Sequence, residues 1–293
     1  MNGTGFAKVK IRGLVAAISC SSFLFLFKIG GAIFCSSAGL LASAVDSLMD
    51  IGMSSVNYLA VRKGSKPPDK DHAYGHEKIE SLASYTQGMV ILIFAFAILE
   101  ESVRRSFAPT FVSHSQIALA VTGIAALANL FLSGILYQAE RKTKSLILKA
   151  ELVHYSMDIF SYVFIFFALL LVRWTKWNGW DLLGGMILAG YVGSLAGQIL
   201  VRAGNELVDR SLPPSALDEL DRLIQSHDSR VLGYHEMRTR KVGTKTFVDF
   251  HLVMQPEQSF QEAHEVAESL IQKIKTRFED ADVTVHEDPE GGL

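Results

Sequence analysis

Four side chains in two apolar stretches carry the chemistry that needs explaining. Ala38–Val61 contains Asp46 and Asp50, and Leu152–Val172 contains His154 and Asp158. Each pair is four residues apart, so on a helix the two members stand one above the other on a single face. An unpaired anion in hydrocarbon costs several kcal/mol, so a proton, a cation or a water-filled cavity must offset it. Three carboxylates and one imidazole form a four-coordinate set suited to a divalent transition metal. A proton relay, or polar contact between helices, is the other reading of the same residues.

The elements that must hold these groups are six apolar spans, at 13–36, 38–61, 82–103, 116–138, 150–172 and 180–201. Each is about the length needed to cross a bilayer as a helix. Basic residues sort to alternate loops. Lys8, Lys10 and Arg12 precede the first span, Arg62, Lys63, Lys66, Lys70 and Lys78 follow the second, and Arg141, Lys142, Lys144 and Lys149 follow the fourth. The opposite loops hold only Arg104, Arg105, Arg173 and Lys176. This bias predicts that both termini are cytoplasmic. Trp174, Trp177 and Trp180 read as an interfacial belt at the outer end, and the glycines of the sixth span as points of close helix contact. The basic start followed by an apolar run resembles a signal peptide but lacks a cleavage site, so it reads as a retained helix. Cys20 and Cys35 make neither a disulfide framework nor a CxxC motif.

Residues 205–293 differ in character. They hold ten basic and 18 acidic side chains, net −8, against −2 for the whole chain. The division is therefore a membrane domain, 1–204, and an acidic soluble domain, 205–293. Nothing in the charge favours nucleic acid, and no glycine-rich nucleotide motif occurs. Ser215 is the expected cap of a short helix with Leu217, Leu220 and Leu223 or Ile224 on its apolar face. Strands are expected at Val231–Val242 and Thr246–Met254 around a Gly243-Thr244 turn, with Val248, Phe250, Leu252 and Met254 on one face. Ser259 and Glu262 make a capping box for a helix burying Ala263, Val266, Ala267, Leu270 and Ile274. A last strand covers Val283–His286. The whole is an α-helical membrane protein with six transmembrane helices and a cytoplasmic αββαβ domain of metallochaperone-like fold. A core from under 90 residues is modest, which favours pairing with a second copy.

Asp69, His72 and His76 in DKDHAYGH place three ligand types in eight residues of one loop, with Asp71 as a neighbour able to replace Asp69. Five of the nine histidines fall in the tail, at 227, 235, 251, 264 and 286.

VDSLMDIG, PPDKDHAYGHEKIESLA, ELVHYSMD, YHEMRTRKVG and VTVHEDP, in that order, resemble the cation diffusion facilitator family and its bacterial zinc/iron branch. The resemblance runs over nearly the whole chain. It implies a homodimer in the inner (plasma) membrane that exports a divalent metal in exchange for protons. Zn²⁺ is the first candidate, with Fe²⁺ or Cd²⁺ as further cargo. It implies metal sites at Asp46, Asp50, His154 and Asp158, and at Asp69, His72 and His76. In the tail it implies a regulatory zinc site at His235, His251, His286 and Asp288, with His264 joining that cluster and Glu287 available to a second copy. It also implies a salt bridge between Lys78 and Asp209 that holds the dimer. A membrane-anchored metal sensor is the competing function, in which the tail acts and the spans are a scaffold.

Overall fold

The computed structural model describes residues 3–35, 38–107, 116–175, 179–278 and 280–290. Lys176 and Trp177 lie outside them. The chain forms two compact units, Met1–Gly204 and Asn205–Leu293.

The first unit holds six long helices: α1 (Gly3–Cys35), α2 (Ala38–Gly64), α3 (Lys78–Phe107), α4 (Gln116–Thr143), α5 (Leu146–Thr175) and α6 (Gly179–Leu207). Most run past the apolar spans by several residues, as where α2 continues through Arg62 and Lys63 and α4 through Arg141 and Lys142. Hydropathy marks the part suited to hydrocarbon, whereas the backbone ladder continues into water at no cost. Among the described residues, Gly5–Phe34, Lys78–Arg104 and Leu182–Leu207 are long and apolar enough to cross a membrane by length and composition alone.

Helix α5 is the packing centre of this unit. One side carries Ile147, Leu148 and Tyr155 into a cluster with Leu14 and Ala17 of α1, Val61 of α2 and Leu136 of α4. Another carries Ala150, Val153 and Met157 against Ile91 of α3 and Val192 and Ile199 of α6. Apolar side chains such as Phe23, Leu26, Phe131 and Ile187 face outward, where lipid is the natural solvent.

In the second unit α7 (Pro214–Gln225), β1 (Val231–Val242), β2 (Lys245–Met254), α8 (Phe260–Arg277) and β3 (Ala281–Pro289) give the expected αββαβ order. The sheet order is β1-β2-β3, with β1 antiparallel and β3 parallel to the central β2. Val248, Phe250, Leu252 and Met254 pack against Leu220 and Ile224 of α7 and Val266, Ala267, Leu270 and Ile274 of α8. Gly243 makes the hairpin turn at φ +59°. The capping box forms, with Ser259 accepting from the Glu262 N–H and the Glu262 side chain accepting from the Ser259 N–H. Ser215, however, is not the cap of α7. The helix begins at Pro214, with Pro213 in the cap position and no side-chain cap bond. A proline at the first helical position has no N–H to satisfy, so Ser215 falls inside the first turn.

Among Gly185, Gly190, Gly193 and Gly197 of the sixth span, Gly185 is the one that a side chain would disturb. A Cβ there would stand 1.7 Å from Ser102 Oγ and 2.4 Å from Ser102 Cβ, whereas Gly190 and Gly197 face nothing within 4 Å. Gly185→Ala is therefore expected to destabilise the α3–α6 contact by about 1–3 kcal/mol through overpacking. Thermal unfolding of the purified protein in detergent measures this, and Ser102→Gly combined with Gly185→Ala is expected to recover most of the loss.

Candidate metal centres

Two helices build the membrane site. Asp50 of α2 faces His154 and Asp158 of α5, and one ligand atom from each of the three lies within 4.8 Å of the others. His154 Nε2 and Asp50 Oδ1 are 2.8 Å apart, with both side chains mostly buried. Asn129 of α4 donates to Asp158 Oδ2 at 3.1 Å and orients that carboxylate. Asp46, one turn earlier on α2, is exposed and stands outside this triad. The i,i+4 spacing thus brings together both members of the α5 pair and one member of the α2 pair.

Around the triad runs a polar shell. Lys28 of α1 is 5% exposed, and its ammonium donates to Ser47 Oγ at 2.8 Å and to the Ser43 carbonyl at 3.2 Å. Glu151, Ser54, Asn57, Gln87 and Tyr155 form a further buried group. None of these emerges from a search for paired ligands. An ionisable residue inside an apolar span is itself the signal, and Lys28 and Glu151 both give it.

The loop site closes on Asp69. His72 Nδ1 lies 3.3 Å from Asp69 Oδ1 and His76 Nε2 lies 3.1 Å from Asp69 Oδ2. Asp71 contributes its backbone N–H to Asp69 rather than a ligand. Chiefly the His72 backbone N–H, with help from its ring, holds the Asp69 carboxyl below the usual carboxylate range. His76 is buried, and its Nδ1 has no hydrogen-bond partner among the described residues.

In the tail, strand register does the work. His235 pairs with His251 across β1 and β2, and His251 with His286 across β2 and β3, so three imidazoles share one row. They occupy the face away from the core. Asp288, two residues past His286 and hence on the same face, gathers them. Asp288 Oδ2 is 2.9 Å from His251 Nδ1 and 3.1 Å from His235 Nε2, and Oδ1 is 3.2 Å from His286 Nε2. The hydrogen bond from His251 is the largest cause holding the Asp288 carboxyl below its ordinary value. His264 does not join this row. It projects from α8 and meets Glu287 at 3.7 Å. Strand alternation explains the separation: Glu287 points to the opposite face from His286 and Asp288. His227 stands apart from this row and lies 2.7 Å from Ser269 Oγ. Lys78 opens α3, and Asp209 accepts from Arg240 at 3.2 Å.

Imidazole nitrogen with carboxylate oxygen is a borderline donor set, suited to first-row divalent ions and to Zn²⁺ in particular. All three groups satisfy that chemistry and reach.

The model of the cation efflux transmembrane domain matches residues 14–208, and that of the cation efflux cytoplasmic domain matches residues 212–290. The chain belongs to the cation efflux family, the cation diffusion facilitators. Its members are membrane transporters that move metal cations out, not enzymes, and the tail is the family's dimerising cytoplasmic domain. The cation-efflux pump FieF of Shewanella oneidensis is 33% identical over 274 residues, covering 94% of this chain and 92% of that one. FieF of Salmonella schwarzengrund is 34% identical over 289 residues, covering 99% and 95%. The metal-bound C-terminal domain of the CzcD transporter from Thermotoga maritima is 28% identical, covering 28% of this chain and 99% of that one, with a TM-score of 0.26.

Asp288 is the shared partner of three imidazoles, so its loss is expected to affect cation binding more than its size suggests. Asp288→Ala should weaken the tail's divalent-cation binding by about tenfold or more. Calorimetric titration of the full-length protein with Zn²⁺ at neutral pH measures the change, and an isotherm identical to wild type would detach Asp288 from any metal site.

Proposed function

We propose that this efflux protein exports a divalent transition cation, Zn²⁺ foremost and Fe²⁺ or Cd²⁺ as further cargo, in exchange for protons. The observation that carries the reading is the Asp50–His154–Asp158 triad, three ligand-type side chains converging in a mostly buried site between α2 and α5. Carboxylates and imidazole bind metal only when deprotonated. A cation entering from the cytoplasm therefore releases protons, and protons arriving from the other side release the cation. His154 supplies the imidazole, the group whose reference titration lies in the working pH range. Rocking of helices about a fixed site turns that competition into antiport. Asp46, one turn along α2, is a fourth ligand for this site in a conformation that turns α2 toward α5.

The protein works as a homodimer in a bacterial inner membrane, with both termini cytoplasmic. The loop site at Asp69, His72 and His76 and the tail site at His235, His251, His286 and Asp288 bind zinc without transporting it. Metal in the tail offsets the negative charge of the soluble domain and favours its pairing when cytoplasmic metal rises.

The test is cation uptake into proteoliposomes under an imposed pH gradient, run with several metals. Asp50→Ala is expected to abolish uptake while the protein stays folded and dimeric, because the triad loses both a charge and its contact with His154. Uptake at the wild-type rate by this variant would remove the triad from the pathway. Wild-type protein that binds metal but moves none would instead identify a membrane-anchored sensor.

Selectivity rests on the one nitrogen ligand. His154→Asp leaves an all-oxygen set and is expected to shift preference from Zn²⁺ toward Mn²⁺. The same assay, comparing initial rates across metals, reads the change. An unaltered ranking would show that His154 does not choose the ion.

A further inference from the structure

Glu151 has no part in the triad, yet it is the most deeply buried carboxylate near it. It is 1% exposed, on α5 three residues before His154. Asn57 Nδ2 donates to its Oε1 at 2.8 Å and Ser54 Oγ to its Oε2 at 3.2 Å. Asn57 Nδ2 also donates to Gln87 Oε1 at 2.8 Å, and Ser54 Oγ lies 3.2 Å from the Tyr155 hydroxyl. Tyr155 in turn lies 2.8 Å from Ser21 Oγ of α1. These six residues come from α1, α2, α3 and α5, and each is at most 2% exposed.

Their spacing makes a ladder. On α2 the series Asp50, Ser54, Asn57 descends a turn at a time toward the Gly64 end. On α5 the step from His154 to Glu151 descends about 4.5 Å toward the Leu146 end, at 1.5 Å per residue. Both ends are those that charge bias assigns to the cytoplasm. The ladder therefore leads from the triad inward.

Hydrogen bonding alone does not call for a carboxyl here. Both donors to Glu151 are neutral, and a glutamine could keep the bond from Asn57 at its oxygen, with Ser54 turning to accept from its amide, without the several kcal/mol that a charge risks at this depth. Asn57 Oδ1, buried in the same cluster, receives no hydrogen bond from any described residue. Asn57 meets Glu151 through its Nδ2, so turning the amide over presents this open acceptor to a cation held by the carboxylate, a use that a purely structural network would not leave available.

We propose that Glu151, with Asn57, is a second cation-binding station one turn inward of the Asp50–His154–Asp158 triad, occupied by the divalent ion on its way between the cytoplasm and the triad. This rests on the transport reading above. The oxygen-only set of Glu151, Asn57 and Ser54 is harder than the triad, so it holds the ion more weakly and passes it on.

Zn²⁺ flux into proteoliposomes, measured for the full chain with Glu151→Gln, Glu151→Asp and Asp50→Ala side by side, tests this. Glu151→Gln keeps size and the acceptor for Asn57, and reverses the direction of the bond with Ser54. It is expected to cut the initial rate at sub-saturating Zn²⁺ by about tenfold while leaving thermal stability at the wild-type value, with Glu151→Asp recovering part of the rate. A wild-type rate in Glu151→Gln would reduce Glu151 to a hydrogen-bond acceptor and overturn the proposal. Should Glu151→Gln not fold, Glu151→Asp decides: a changed ranking among Zn²⁺, Cd²⁺ and Mn²⁺ supports the station, and an unchanged ranking overturns it. Asp50→Ala reports on the triad separately, so normal flux in that variant would defeat the transport reading itself rather than the role of Glu151.

Discussion

The contact on which the membrane unit depends is the 2.8 Å approach of His154 to Asp50. It joins α5 to α2 through groups that hydrocarbon would otherwise expel. Everything nearby supports it. Asn129 steadies Asp158, Tyr155 is fixed by Ser21 and Ser54, and α5 is wedged between two apolar clusters. A candidate ligand set held by packing on both sides of one helix is preorganised, and its geometry then follows the positions of whole helices rather than single rotamers. The site and the bundle are therefore one mechanical object.

Much of this was legible in the residues. Ligand pairs at four-residue spacing in apolar runs located α2 and α5 and the faces they present. Alternation located β2, and the Ser259–Glu262 pair located the start of α8. What remained hidden depends on relations across the fold. Asp46 and Asp50 look equivalent in sequence, yet Asp50 is the one that reaches α5. The rotation of α2 within the bundle decides between them, and no periodicity records it. His264 and His286 look alike as tail histidines, but α8 and the outer sheet face are different surfaces. The shell residues Asn57, Gln87 and Asn129 are single polar residues in apolar runs, and their convergence appears only when four helices are assembled.

The soluble unit applies a different device to the same chemistry. There, helices cover one sheet face and leave the other to the histidine row, so core and candidate site are separated by the thickness of a strand. Apolar side chains of β2 point one way and His251 the other. In the membrane unit no such division exists, and polar ligands share helix faces with the apolar residues that pack the bundle. The candidate ligands of the tail can change without repacking a core, whereas those of the triad cannot.

The three-stranded sheet also leaves β1 and β3 as open edges, each with a row of backbone groups lacking a neighbour in the sheet. A flat edge of that kind invites a strand from another molecule. Here β1 is broken by irregularities between Val231 and Gly233 and between His235 and Arg238, with Glu236 at φ +50°. Arg238, Arg240 and Lys241 add positive charge along it, and Pro289 ends β3 without a donor. Strand addition is thus disfavoured along β1 and at the end of β3. The bulge that brings His235 into line with His251 is, by the same geometry, a guard against aggregation.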